Sequence, residues 1–183
     1  MDNFEKQRKQ LAQYLCDTAI KSPAIKEAFL LVKREHFLPA HFAQHSYADE
    51  AVRIGSWQTI SQPTTIAHML ELLDLKKGMK VLEVGSGSGY MIALLSHIAG
   101  KDGKIYGIEF LPELKEKAEK NLKKEKISNY ELKKGDGSQG WKENAPFERI
   151  IVSCACPFIP KSLFDQLLEG GKIVAPEIGR AHV

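Results

Sequence analysis

Long apolar runs are missing from this sequence. No stretch approaches the ~20 consecutive apolar residues that cross a bilayer, and the opening Met1-Asp2-Asn3-Phe4-Glu5-Lys6 is charged where a secretory leader would be apolar. The expectation is a cytoplasmic protein with no membrane partner. Cysteine is scarce as well. Cys16, Cys154 and Cys156 are an odd number in a chain of 183 residues, which excludes a disulfide framework and predicts reduced, buried thiols. Neither Cys154-x-Cys156 nor His41 and His45, four residues apart, has the further ligands that a metal centre needs, so no metal is expected. Charge of one sign is never concentrated: 26 basic and 23 acidic residues are interspersed for a net +3, which leaves no basic block to follow a nucleic-acid backbone. The Lys-rich stretch from Lys115 to Lys126 alternates with Glu, the pattern of a solvated helix face.

What is present is enough apolar material, 43% of residues, for one substantial core. A single domain over 1–183 is expected, with a helical and loop region at 1–63, an α/β core at 64–176 and an atypical tail at 177–183. Two amphipathic helices come first, one through Leu11 and Leu15, the other opened by Ser22 as N-cap with Pro23 at its first position. From Arg34 to Pro63 the periodicity fades into a long loop, and loops of that length in compact domains usually carry function. After Pro63, the residues Ile66, Met69, Leu70 and Leu73 recur at helical spacing.

Beyond Gly78 the pattern becomes an alternation. Strand-like runs at Lys80 to Val84, Lys104 to Glu109, Tyr130 to Lys133, Arg149 to Ser153 and Lys172 to Ala175 are mostly separated by helical stretches at Tyr90 to Ala99, Pro112 to Lys124 and Pro160 to Leu168. Such alternation predicts an α/β fold: a Rossmann-like, doubly wound, mainly parallel sheet with ligands at the carboxyl ends of its strands.

The first of those ends is the most informative. Val84 leads into Gly85-Ser86-Gly87-Ser88-Gly89, a turn in which backbone can approach a ligand at a helix N-terminus. A dinucleotide fingerprint needs a glycine five residues after Gly85, where this chain has Tyr90, so a nicotinamide dehydrogenase is disfavoured. Glu83 points the same way, because a carboxylate repels a pyrophosphate and attracts a cationic ligand. Glu109, 24 residues after Gly85, ends the second strand, where a carboxylate accepts from ribose hydroxyls. Asp136, in Gly135-Asp136-Gly137, follows the third strand and could accept from an adenine amine, although that tripeptide alone reads as an ordinary turn.

Together these residues resemble the class I S-adenosylmethionine-dependent methyltransferases. The resemblance narrows with Arg34-Glu35-His36-Phe37-Leu38-Pro39, Tyr47-Ala48-Asp49, Ile54-Gly55 and Gln58-Thr59-Ile60-Ser61-Gln62-Pro63, which look like the protein-L-isoaspartate O-methyltransferases in order and spacing. Ala145-Pro146-Phe147, Ile159-Pro160 and Gly170-Gly171 extend the match to about residue 176.

The resemblance implies a protein-repair enzyme that methylates the free α-carboxylate of L-isoaspartyl residues in damaged proteins and peptides. S-Adenosylmethionine would lie against Glu83, Gly85, Ser86, Gly87, Ser88, Gly89, Glu109, Asp136 and Gly137. Substrate would meet Thr59, Ile60, Ser61 and Pro63, with Ser61 as the active-site serine that positions the carboxylate. Ser61 also reads as an N-cap for the helix after Pro63.

The chain departs from the family's pattern at its end, where the usual methyltransferase fold continues with two further strands and this sequence stops at Val183. The expectation is an exposed apolar fifth-strand edge that invites dimerisation or strand exchange. Two alternatives stay open at this point: a cofactor-binding module without catalysis, and a methyltransferase with another acceptor such as tRNA.

Overall fold

The computed structural model describes residues 3–176, and the tail expected to be atypical, 177–183, lies outside them. Helices α1 (Asn3–Thr18) and α2 (Pro23–Leu31) are followed by two 3-10 turns, Arg34–Phe37 and Ala40–His45, and by a hairpin of β1 (Val52–Gly55) and β2 (Gln58–Ile60). The stretch from Arg34 to Pro63 is thus not the structureless loop its fading periodicity suggests. Its elements are too short for a helical or strand period to register.

Helix α3 (Pro63–Leu73) leads into the alternating part: β3 (Lys80–Val84), α4 (Tyr90–Ala99), β4 (Lys104–Glu109), α5 (Pro112–Lys124), β5 (Tyr130–Lys134), β6 (Phe147–Val152), α6 (Lys161–Phe164) and β7 (Leu167–Val174). The expected helix from Pro160 to Leu168 is cut to Lys161–Phe164, because Leu167 already pairs with Phe147 in the sheet.

All pairings of the five-stranded sheet are parallel, in the order β5-β4-β3-β6-β7, as the expected Rossmann-like winding requires. The strand order reverses between β3 and β6, and a crevice opens there at the carboxyl ends. The two faces are covered unequally. Val81, Ile105 and Ile151 share one core with buried residues of α1 to α5. On the opposite face Leu82, Val84, Tyr106, Ile108, Ile150 and Val152 meet Phe147 and Leu163 under the short α6. The crossover from β5 to β6 carries only 3-10 turns, Gly137–Gln139 and Lys142–Asn144.

Polar side chains fix the junctions that apolar packing leaves free to slide. Arg149 of β6 is buried and donates from Nε to Leu73 O (2.7 Å) and from Nη2 to Asp74 O (3.2 Å), so a cation satisfies carbonyls at the C-terminus of α3. The N-terminus of α3 is held from a distance. Gln62 occupies the N-cap position without a side-chain cap, and it is Asp49 that accepts from Thr64 N (2.8 Å), Thr64 Oγ1 (2.7 Å) and Gln62 Nε2 (3.0 Å). The expectation that Ser61 caps this helix is therefore corrected. Ser22, expected to cap α2, sits at the N-cap without a side-chain bond, and its N–H instead donates to Glu71 Oε1 (2.7 Å).

The thiols also differ from expectation: Cys16 and Cys156 are half-buried and Cys154 is exposed, all three free. Among the described residues no helix is long and apolar enough to cross a membrane, and no group of three or more metal-ligating side chains converges.

Replacing Asp49 by Ala leaves the first turn of α3 without its acceptor. A loss of about 1 to 2 kcal/mol in urea unfolding is expected, with m unchanged. Stability equal to that of the parent would refute the capping role.

Candidate functional site

The carboxyl end of β3 delivers Glu83 and then a turn in which Gly85, Gly87 and Gly89 all have positive φ (84°, 53° and 86°). Two of these positions have no room for a side chain. A Cβ on Gly85 would lie 2.8 Å from Cβ of Cys154, and one on Gly89 would press against Ala118 and Leu122 of α5 at 3.2 Å. The turn is thereby drawn down between β6 and α5, and Asn121 of α5 donates to Ser88 O (3.0 Å) to hold its far side.

Glu83 is fully buried, an expensive place for a carboxylate. Burial pushes its carboxyl up to about 8, although a hydrogen bond from Ser153 opposes the shift. Ser153, the first residue after β6, donates from Oγ to Glu83 Oε1 at 2.8 Å, across the point where the strand order reverses. The other oxygen, Oε2, has no hydrogen-bond partner, and neither does the buried Oγ of Ser86. Ser86 Oγ nevertheless lies near enough to Glu83 to pull its carboxyl down, and both residues line a cavity with Gly85, Gly87, Ser88 and Ser153.

The opposite wall of that cavity comes from the hairpin. Thr59, Ile60 and Ser61 line it, together with Ile66, Tyr90 and Met91. The hairpin is seated by Ile54, whose Cδ1 would be 3.3 Å from a Cβ on Gly87, and by Arg34. The Arg34 guanidinium is buried and donates from Nη2 to Ser61 O at 3.0 Å and to Glu50 O at 3.4 Å. It lies over the Tyr90 ring, 5.0 Å from the centroid.

Of the residues expected in the site, Thr59, Ile60, Ser61, Glu83, Gly85, Ser86, Gly87 and Ser88 surround one cavity. Pro63, Gly89, Glu109, Asp136 and Gly137 do not line it. Pro63 is the first residue of α3 and Gly89 precedes α4. Glu109 ends β4 with both oxygens engaged by backbone, Oε1 by Leu111 N (2.9 Å) and Oε2 by Gly87 N (2.7 Å). It ties the glycine turn to β4, and each oxygen keeps a second lone pair for a ligand.

Asp136 is exposed and accepts from Ser138 N at 2.9 Å, which caps a 3-10 turn and, led by that bond, holds its carboxyl below the ordinary range. It follows β5 at the same sheet edge, where Gly135 N donates to Glu109 O at 2.9 Å. A side chain on Gly137 would collide with Val84, so this loop packs directly on the end of β3.

Sequence reasoning missed Ser153 and gave Arg34 and Asp49 no individual role. Ser153 was within reach, because it directly follows an apolar strand at the sheet edge that selected Glu83. Arg34 and Asp49 act through backbone atoms distant in sequence, which no local pattern announces.

A glycine-rich turn, a buried acid beside it and a hairpin held by a buried arginine are the arrangement to compare with known proteins. The sequence profile described as Protein-L-isoaspartate(D-aspartate) O-methyltransferase (PCMT) matches residues 6–182. The chain belongs to that family.

Curated relatives agree. The chain is 44% identical over 93% of its length to Protein-L-isoaspartate O-methyltransferase 2 of Anaeromyxobacter sp., covering 69% of that protein. It is 42% identical over 95% of its length to Protein-L-isoaspartate O-methyltransferase 2 of Archaeoglobus fulgidus, covering 80% of it.

Among solved structures, one protein-L-isoaspartate O-methyltransferase superposes with a TM-score of 0.83 at 32% identity, covering 93% of this chain and 55% of that one. A Plasmodium falciparum protein described as an enzyme of the same kind, solved in complex with S-adenosyl-L-homocysteine, also gives 0.83, at 26% identity and covering 99% and 87% of the two chains. The isoaspartate methyltransferase fold is thus present from α1 through β7.

The buried acid has a measurable signature. Glu83 titrates at about 8 in the folded chain against an ordinary 4.5, so between those values the folded state binds the extra proton and the stability contributed by this site falls as pH rises. Glu83→Gln is therefore expected to raise Tm at about pH 8 and to change it little at about pH 5. An equal shift at both pH values would refute the buried titration.

Proposed function

We propose that this chain transfers the methyl group of S-adenosylmethionine to the free α-carboxylate of L-isoaspartyl residues in proteins and peptides, the reaction that gives its family its name. The single observation that carries the reading is the meeting of Ser61 and Glu83 on opposite walls of one cavity at the reversal of strand order.

The residues present suit the cofactor. Oε2 of Glu83 would offer an acceptor in a buried pocket, and Gly85 and Gly87 add no side chain to its lining. When bound, S-adenosylmethionine supplies an electrophilic methyl carbon on a positively charged sulfur. Glu83 attracts the cationic amino-acid end, since opposite charges gain more in a pocket with little water. Glu109 would offer its remaining lone pairs to the ribose hydroxyls, and Asp136 in the Gly135-Asp136-Gly137 loop would offer an acceptor to the adenine amine.

Ser61 donates a hydrogen bond to the acceptor carboxylate and fixes the direction of its attacking oxygen, with Thr59 beside it. An acceptor carboxylate with a pKa near ~4 is already ionised at neutral pH. No general base is required, and the rate depends on alignment and on exclusion of water. Arg34 contributes through position alone, by holding the Ser61 carbonyl.

Transfer of labelled methyl to an isoaspartyl peptide, with the matching aspartyl peptide as control, tests this reading. Label on the isoaspartyl peptide alone is expected; label on neither, with cofactor bound, would overturn it. Ser61→Ala should lower kcat on the order of 10- to 100-fold with cofactor affinity nearly unchanged, and a variant that loses cofactor binding instead would refute the role given to Ser61. Because Glu83 pairs with a cation only when ionised, calorimetric affinity for S-adenosylmethionine should rise with pH up to about 8, with a proton released on binding below it.

We further propose self-association through β7, which among the described residues pairs only with β6 and leaves its outer edge open. Sedimentation of a single monomeric species across micromolar concentrations would overturn it.

A further inference from the structure

The most exposed large apolar side chain described is Trp57, at 88% of its full accessibility. It stands at the tip of the β1–β2 hairpin in a conformation that its residue type disfavours. Gly55, Ser56 and Trp57 follow one another at φ of 107°, 50° and 59°. A two-residue hairpin turn asks for positive φ at both central positions and normally takes Asn or Gly there. Ser and Trp in those places cost stability, and such cost persists where function selects the side chain.

The tip is also held in place. Ser56 Oγ donates to Glu113 Oε1 at 3.0 Å in the first turn of α5, and Gly55 lies against the Lys117 ammonium, 3.0 Å from where its Cβ would be. An aromatic ring set on an anchored turn and turned outward is a contact surface of low conformational entropy.

Its neighbours say what it contacts. The Arg53 guanidinium lies 5.7 Å from the Trp57 ring centroid. Arg53 is paired directly across the hairpin with Thr59, both exposed and so on the same outer face. Thr59 lines the cavity that Ser61 also lines. Trp57, Arg53 and Thr59 thus form an unbroken strip from the hairpin tip to the mouth of the site, flat, aromatic and cationic. The Glu113 carboxylate at the tip is already bonded to Ser56.

We propose that this outer face of the hairpin docks the polypeptide flanking the methyl-accepting residue, with Trp57 stacking on an apolar or aromatic side chain and Arg53 pairing with a carboxylate of an acidic flank. The proposal rests on the isoaspartyl reading of the cavity and adds to it a preference among acceptor sequences.

The test uses isoaspartyl peptides that differ only in their flanks, one aromatic and acidic, one glycine- and lysine-rich. KM for the first should be lower. Trp57→Ala should raise it at least about fivefold, the size expected when an exposed stacking and cation–π contact is lost, while leaving thermal stability unchanged or improved. Arg53→Glu should reverse the order of the two peptides, which a damaged fold would not do.

A second readout does not depend on turnover. The sequence has two tryptophans, Trp57 and Trp141, so in a Trp141→Phe background the emission of Trp57 should shift to the blue as the aromatic-acidic peptide binds. Transfer that proceeds with KM unmoved in both variants, or binding without a change in Trp57 emission, would overturn the docking face while leaving the cavity reading intact. Absence of transfer from the parent protein to every isoaspartyl peptide would overturn the cavity reading, and the emission change would then decide the docking face by itself.

Discussion

The guanidinium of Arg34 is the fixed point around which the hairpin, Ser61 and the start of α4 are arranged. It is a buried cation, and burial lowers its tendency to stay charged, yet an arginine keeps its proton in a protein. It is stabilised by two carbonyls, Ser61 O and Glu50 O, and by the face of Tyr90. Those partners flank the hairpin on both sides and open α4. One side chain thereby fixes the distance between the residue expected to orient a substrate and the helix that begins at the cofactor turn. Both bonds leave from Nη2, and the planar guanidinium at the same time presents its face to the Tyr90 ring, a contact that a compact ammonium makes less well.

A second buried and only partly satisfied charge lies at the end of β3. Glu83 is held where a carboxylate is uncomfortable, with one oxygen satisfied by Ser153 and one left over. Burying a carboxylate in this way costs stability, and a paired cation would offset that cost. Arg34 spends one nitrogen on two carbonyls and leaves Nε and Nη1 without partners, and Glu83 likewise has one oxygen satisfied and one not. The first gives the site its shape and the second its appetite for a charged ligand.

Much of this was legible in the residues. The bounds of β3, β4, α4 and α5 follow from period and from punctuation by Gly and Pro, because long buried elements repeat their pattern often enough to be read. Glu83 and the glycines were legible because strand-end position and chemistry coincide there. The hairpin was not, since three or four residues cannot display a period. Neither was the division of labour around α3, where Ser61 had the chemistry of a cap and Asp49 had the position. A cap reaching back from Asp49 to Thr64 is a tertiary contact, and tertiary contacts override local preference. The expected helix at Pro160 to Leu168 failed for the same reason, because pairing of Leu167 with Phe147 outcompetes another helical turn.

The pairing of β3 with both β4 and β6 has a consequence for how the molecule comes into being. As the chain leaves the ribosome, the hairpin, the glycine turn and β4 emerge well before β6. Arg34, Ser61 and Tyr90 can find one another early, but Glu83 has no shield on its other side until residues 147–153 arrive. During that interval the acid remains hydrated and ionised, and β3 stays an open edge. Pairing of β6 with β3 strips water from Glu83 and drives a proton onto it, so the step that places β3 at the centre of the sheet also sets the protonation of the pocket's acid.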